Sequence, residues 1–382
     1  MTPSALPIAG DCDKSLAIPK HWLEAQLSGQ WHDWRWQFRN RVQSYGELSA
    51  IVPDLLEKEL AMRSLTDANL PFAITPYYLT LLDPCDPNDP VRLTMIPSSD
   101  ELVKSPHELA DPCGEDAHMP VDGLVHRYPD RVLFLLTDTC AVYCRYCTRS
   151  RVVGSHTLRP NLEEIYAYLE AHTEIRDVLL SGGDPLIFSE EKLEPIIARL
   201  RQIKHIDIIR VGTKIPIVMP QRITDSFVSM LKQYHPFYMS IHIIHPNEIT
   251  PEVTTALNRL ADAGIPTFSQ TVLLKDINDD PQTIKTLVHA LLRCRVKPYY
   301  LYQCDPVEGT GHFRTRVESG LQIIENLRGH TTGYGIPSYV IDGPGGGGKI
   351  PLSPSYVVEQ DTDKWVLRNY NHQTFTYHQP DP

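Results

Sequence analysis

From Arg131 onward the chain alternates between two hydrophobic periods. Six short β-rich apolar runs stand at 132–137, 178–181, 206–211, 237–243, 267–274 and 297–302. Between them lie five amphipathic stretches with helical spacing, at 161–172, 189–203, 224–233, 251–263 and 281–292. Several carry start signals: Asn161 before an acidic first turn, Ser189 before Glu190 and Glu191, and Asp280 before Pro281. Gly264 stands where a helix should stop. Strand–helix alternation of this kind predicts βα units and a parallel sheet, because parallel strands need a long crossover. Six units are too few for an eight-fold barrel. The expected fold class is therefore α/β, a partial (β/α)6 barrel, with a doubly wound open sheet as the alternative. Either places its chemistry at the C-terminal ends of the strands.

Three regions follow from this pattern. Residues 1–125 read as an accessory, mainly helical region, with helix-like periodicity over 51–62 and 99–108 and turn-rich Pro, Asp and Asn over 82–90. Residues 126–326 hold the barrel, and the Gly- and Pro-rich segment 327–382 is expected to pack against its mouth. A net charge of −11 disfavours a nucleic-acid partner. No apolar run approaches a membrane span and no leader pattern opens the chain, so the expectation is a cytoplasmic protein off the membrane, with reduced thiols.

Three of the eight cysteines fall within one short stretch, Thr139-Cys140-Ala-Val-Tyr-Cys144-Arg-Tyr-Cys147-Thr-Arg149, just after the first strand. Three thiolates at C-x3-C-x2-C can hold three irons of a 4Fe–4S cluster, leaving the fourth iron open to S-adenosylmethionine (SAM). Structural zinc would need a fourth ligand, usually from a second cysteine pair, and none lies nearby. Three buried structural thiols are the remaining alternative.

A second signal is Asp342-Gly-Pro-Gly-Gly-Gly-Gly348-Lys349-Ile-Pro351. Gly343, Gly348 and Lys349 satisfy a phosphate-loop pattern, but Ile350 offers no hydroxyl for Mg²⁺ and Pro351 bars the helix such a loop feeds. A flexible strap ending in a lysine suits a residue that forms and releases a Schiff base with pyridoxal phosphate (PLP).

Together C-x3-C-x2-C-T-R, Leu180-Ser-Gly-Gly-Asp184-Pro-Leu, Arg222-Ile223, Cys304-Asp305, Gly311-His-Phe-Arg314, Leu327-Arg-Gly-His330 and the glycine–lysine run resemble the lysine 2,3-aminomutase family of radical SAM enzymes, over residues 124–370. The resemblance implies a radical isomerase using a 4Fe–4S cluster, SAM and PLP. Cys140, Cys144 and Cys147 would hold the cluster. Tyr146, Gly182, Gly183, Asp184 and Gln270 would lie against SAM. Lys349 would carry PLP, with Arg127 and Arg131 on its phosphate and Tyr128 and Tyr302 beside it. Arg149 would pair with the substrate carboxylate, and Asp305 and Asp342 with the distal ammonium of lysine. It further implies a free amino-acid substrate, a flavodoxin or ferredoxin as electron donor, and a homo-oligomer.

Two departures qualify the resemblance. Pro306 follows Asp305 where the lysine enzymes usually have Leu-Ser, and Tyr146 replaces the usual His. Arginine thereby becomes the rival substrate, with a protein-bound lysine a more distant one. No cysteine follows Cys304, so no zinc is expected.

Overall fold

The computed structural model describes residues 15–52 and 70–380. Nine strands form one sheet in strict chain order: β1 (Leu124–Tyr128), β2 (Arg131–Thr137), β3 (Asp177–Gly182), β4 (Ile208–Thr213), β5 (Phe237–His242), β6 (Thr267–Leu273), β7 (Val296–Gln303), β8 (Ser338–Gly343) and β9 (Gly348–Leu352). Neighbours from β2 to β8 are parallel. Antiparallel β1 and β9 close the two edges. The six expected strands are β2–β7. A seventh parallel strand, β8, comes from the C-terminal segment, whose apolar run is short and hidden among Gly and Pro.

Strand parity separates core from site. In β3, Val178 and Leu180 are fully buried, whereas Asp177, Leu179 and Ser181 face the hollow of the sheet. In β4, Ile209 and Val211 are fully buried, whereas Arg210 and Gly212 face that hollow. The buried set packs with Leu193, Ile197 and Leu200 of the helix Glu190–Gln202 and with Ile284, Leu287 and Leu291 of Pro281–Arg293. Burying each such side chain stabilises the layer by about 1.5–3 kcal/mol.

The crossover helices match the sequence pattern closely. Asn161 caps Leu162–Ala171 and Asp280 caps Pro281–Arg293 through side-chain hydrogen bonds. Ser189 also stands at the N-cap of Glu190–Gln202, as its start signal predicts, but its side chain makes no capping bond. In the N-terminal region the helices Lys20–Ser28, Trp34–Arg39 and Tyr45–Ile51 pack around buried Trp22, Trp34 and Trp36. Arg222 is fully buried beneath them, 4.7 Å from the Trp34 ring and 4.0 Å from Phe227. Its guanidinium donates to the carbonyls of Leu186 and Phe188, which ties the N-terminal region to the loop after β3.

Other expectations are corrected. The helix expected over 99–108 is only a single 3-10 turn, Ser99–Leu102. The one expected over 51–62 falls almost wholly outside the described residues. Cys85 is disulfide-bonded rather than reduced. A separate antiparallel sheet, β10 (Val357–Gln360), β11 (Lys364–Arg368) and β12 (Thr374–His378), follows β9.

Candidate active site

All nine strands of the main sheet contribute residues to one cavity of about 480 Å³, so the sheet curls around it. Arg127, Arg131, Tyr128, Arg149, Gln270, Tyr302, Asp305, Asp342 and Lys349 all line this cavity. Residues far apart in sequence are thus gathered, from strands and from the loops that follow them.

Lys349 is held firmly. The glycine run is the turn of a β8–β9 hairpin that pairs Gly343 with Gly348 and Asp342 with Lys349. Gly346 has φ +93°, and a Cβ there would meet the His118 ring at 2.7 Å. The expected flexible strap is therefore an ordered turn packed against the segment before β1. The Lys349 backbone N–H donates to the Tyr128 hydroxyl at 2.9 Å. Its Nζ lies 3.2 and 3.1 Å from the two Asp342 carboxylate oxygens and 5.1 Å from the Tyr302 ring centre. Arg127 approaches the same carboxylate at 3.5 Å and donates to the Cys113 carbonyl at 2.9 Å.

The charges around this cavity are almost fully paired. Arg131 pairs with Asp130 and lies 3.7 Å over the Tyr128 ring. Arg210 pairs with Asp177 at 2.8 Å. Arg149 is clamped by both oxygens of Glu115. Asp305 is the one lining acid without an ion-pair partner among the described residues. Burial, aided by nearby Asp342, pushes its carboxyl up to about 7. Gln270, on β6, makes no side-chain hydrogen bond within the described protein. A bulge where β6 faces β7 aligns Gln270 with Tyr300 after Ser269 with Pro298, and it lets Tyr299, Tyr300 and Tyr302 all reach the cavity.

A second cavity of about 390 Å³ is lined by Cys140, Cys144 and Cys147 with Tyr146, Gly182, Gly183 and Asp184. All three cysteines are free, and burial raises each thiol above its ordinary range. The two glycines have a steric reason. A Cβ on Gly182 would fall 2.2 Å from the Thr137 carbonyl oxygen, and one on Gly183 would fall 2.3 Å from that of Thr139. Only bare backbone lets the end of β3 lie against the end of β2 that launches the cysteine loop. Asp184 is buried, and its carboxylate accepts from the Thr213 hydroxyl and the Lys214 N–H at 2.8 Å, joining the ends of β3 and β4. Burial pushes it up to about 6. Tyr146 is buried beside Ile244, Leu274 and Phe313.

The two cavities share a wall of Thr148, Arg149, Ser181, Gly212, His242 and Val272. The lysine-bearing and cysteine-bearing halves of the site are therefore adjacent chambers. Sequence reading missed several members. His242 ends β5, and its position at a strand's C-terminal end was the available signal. Burial lowers its imidazole to about 4, so it is neutral. Lys214 and Glu248 form a buried pair at 2.6 Å at the edge of the cysteine chamber, with the Tyr78 hydroxyl donating to Glu248. Glu115 had no local signal, because its partner lies 34 positions away.

The donor sets fit the implied cofactors. Three free thiols from one short loop, Cys140, Cys144 and Cys147, line one chamber. Three thiols at this spacing suit a 4Fe–4S cluster, in which each thiolate would bind its own iron. A primary amine with two guanidinium forks suits an aldehyde bearing a phosphate.

Residues 134–287 match the family model of the radical SAM superfamily, and residues 324–382 match that described as lysine-2,3-aminomutase. Fold, thiols and match define a radical SAM enzyme. Among curated relatives, L-lysine 2,3-aminomutase of Clostridium subterminale is 51% identical over 92% of this chain and 85% of its own length. That of Bacillus subtilis is 45% identical over 95% and 78%. The glutamate 2,3-aminomutase of Clostridioides difficile is 44% identical over 89% and 81%. The chain belongs to the lysine 2,3-aminomutase family, whose membership implies an isomerase with a 4Fe–4S cluster, SAM and PLP. No helix among the described residues is long and apolar enough to cross a membrane.

Proposed function

We propose that this enzyme moves the α-amino group of free L-lysine to the β-carbon. One observation carries the reading: Asp342 holds a primary ammonium, that of Lys349, at 3.1–3.2 Å inside a cavity where Asp305 stands unpaired. A lysine substrate ends in the same group. With Lys349 engaged by the cofactor, the two aspartates are left to bind a distal cation, and a buried cation requires such pairing.

Cys140, Cys144 and Cys147 would hold the cluster, and Tyr146, Gly182, Gly183, Asp184 and Gln270 would border the SAM. Lys349 would anchor PLP, with Arg127 and Arg131 available to its phosphate and Tyr128 and Tyr302 beside it. Bound together, these groups supply a carbon-radical initiator and a π system that spreads unpaired spin at the substrate nitrogen. Arg149 receives the substrate carboxylate and fixes one end of the molecule, while Asp305 and Asp342 fix the other. Between these anchors the migrating nitrogen and the β-carbon face the shared wall. Initiation requires a reduced cluster, so a flavodoxin or ferredoxin is the proposed electron donor, and the proposed working form is a homo-oligomer.

A second reading is arginine as substrate. It is favoured by a further cavity of about 270 Å³ lined by Asp305, Asp342 and Pro306, which offers room beyond the two aspartates. The test is an anaerobic assay with SAM, reductant and PLP, offering lysine, arginine, ornithine and glutamate in parallel. Lysine should be turned over fastest. Arginine in first place would select the second reading, and a preference for glutamate would overturn both.

A further inference from the structure

The segment just before β1 touches every part of the site. Leu109 bridges Val307, next to the Asp305 loop, with its N–H donating to the Pro306 carbonyl at 2.8 Å. The Pro112 carbonyl accepts from Gly345 of the lysine hairpin at 3.0 Å, and that of Cys113 accepts from Arg127 at 2.9 Å. Asp111 and Asp116 pair with Arg151 on the cysteine loop. Glu115 sits at the centre of this strap, 8% exposed at its side chain.

Glu115 accepts from Arg149 Nε at 3.0 and 2.9 Å and from Nη2 at 2.7 Å. This bidentate grip fixes the plane of the guanidinium. It occupies one edge and leaves Nη1, whose only partners among the described residues are weak: the Ser181 hydroxyl at 3.4 Å and the Gly182 carbonyl at 3.3 Å. Those partners belong to the end of β3 and the wall between the chambers. The free corner of Arg149 is thus aimed at the place where the two chambers meet. Without Glu115, Arg149 would carry an uncompensated charge in a low-dielectric wall and would have other rotamers open to it.

We infer that Glu115 is a positioning residue for the amino-acid substrate, setting the orientation in which Arg149 receives the carboxylate. This inference rests on the proposed role of Arg149. Glu115 acts only through Arg149, so its loss raises the KM for the amino acid more than it lowers kcat, and a carboxylate at 115 is required.

The test measures kcat and KM for the preferred amino acid in wild type, Glu115→Gln, Glu115→Asp, Arg149→Gln and the Glu115→Gln/Arg149→Gln double variant. Iron and PLP content are recorded for each. The expected result is a KM rise on the order of tenfold in Glu115→Gln, the size of one lost charge-assisted contact, with kcat within about threefold. Glu115→Asp should recover part of the loss, and the double variant should match Arg149→Gln alone. Additive effects in the double variant, an unchanged KM in Glu115→Gln, or loss of iron and PLP in step with lost binding would each overturn the assignment. Inactivity of the wild type toward every amino acid would instead refute the proposed function itself.

Discussion

Asp342 and Lys349 are direct cross-strand neighbours on β8 and β9, and their side chains meet as an ion pair with both carboxylate oxygens within 3.2 Å of Nζ. The register of a short hairpin therefore places the amine proposed to anchor the cofactor beside the acid proposed to read the substrate. A one-residue slip would turn Lys349 to the other face and empty the cavity of its amine.

Lys349→Ala should abolish turnover while leaving the cysteine chamber intact. Lys349 is partly exposed and Asp342 keeps Arg127 nearby, so the stability cost should be only about 1 kcal/mol. Iron and sulfide content should match wild type, and the absorbance of lysine-bound PLP should vanish. Retained aminomutase activity would remove Lys349 from its assigned role.

Asp305 gives the site a pH dependence. Its carboxyl is raised to about 7 by burial and by Asp342, so it loses its proton late in the folded state. Between its ordinary range near 4 and about 7 the unfolded chain has already released that proton, so this group's contribution to stability falls as pH rises. Binding of a basic substrate runs the other way, because only the ionised form pairs with a cation. The KM for lysine should fall as pH rises through about 7, and Asp305→Asn should flatten that profile. An identical profile in the variant would exclude Asp305 from the distal contact.

Gly183→Ala places a methyl group 2.3 Å from the Thr139 carbonyl oxygen, backbone that cannot swing aside. We expect a loss of about 1–3 kcal/mol and reduced iron content, because the cysteine loop must shift. Gly333→Ala meets nothing within 4 Å and should stay within about 0.5 kcal/mol of wild type. Denaturant midpoints and iron analysis compare the two. Equal behaviour would refute the steric argument.

Lys214 and Glu248 are paired at 2.6 Å with side chains 9% and 2% exposed. Lys214→Met strands a carboxylate that still accepts from Tyr78 and the Ile244 N–H, and should cost about 3–5 kcal/mol. Adding Glu248→Gln should return part of that loss. An additive double variant, measured by urea unfolding, would argue against a coupled pair.

Much of the architecture was legible because it is written locally. Apolar period alone marks β2–β7 and the crossover helices, and their caps are side chains beside the turn they close. The cysteine loop and the glycine–lysine run carry their chemistry in adjacent residues, so their spacing was readable before any fold was known. Strand β8 was not, since its apolar run is brief and only pairing with β7 makes it a strand. The strap seen in the glycines became an ordered hairpin for a similar reason. Its freedom is removed by residues of the segment before β1, which no local pattern announces.

The sequence by itself determined which atoms are present: three thiols, one special lysine, and the arginines and aspartates that the family resemblance singles out. Only the tertiary structure decided which of these meet. The Arg149–Glu115 clamp, the Lys349–Asp342 pair and the wall shared by the two chambers join residues from separate elements. Such proximity comes from the curvature of a nine-stranded sheet, a property of the whole chain and of no short stretch within it.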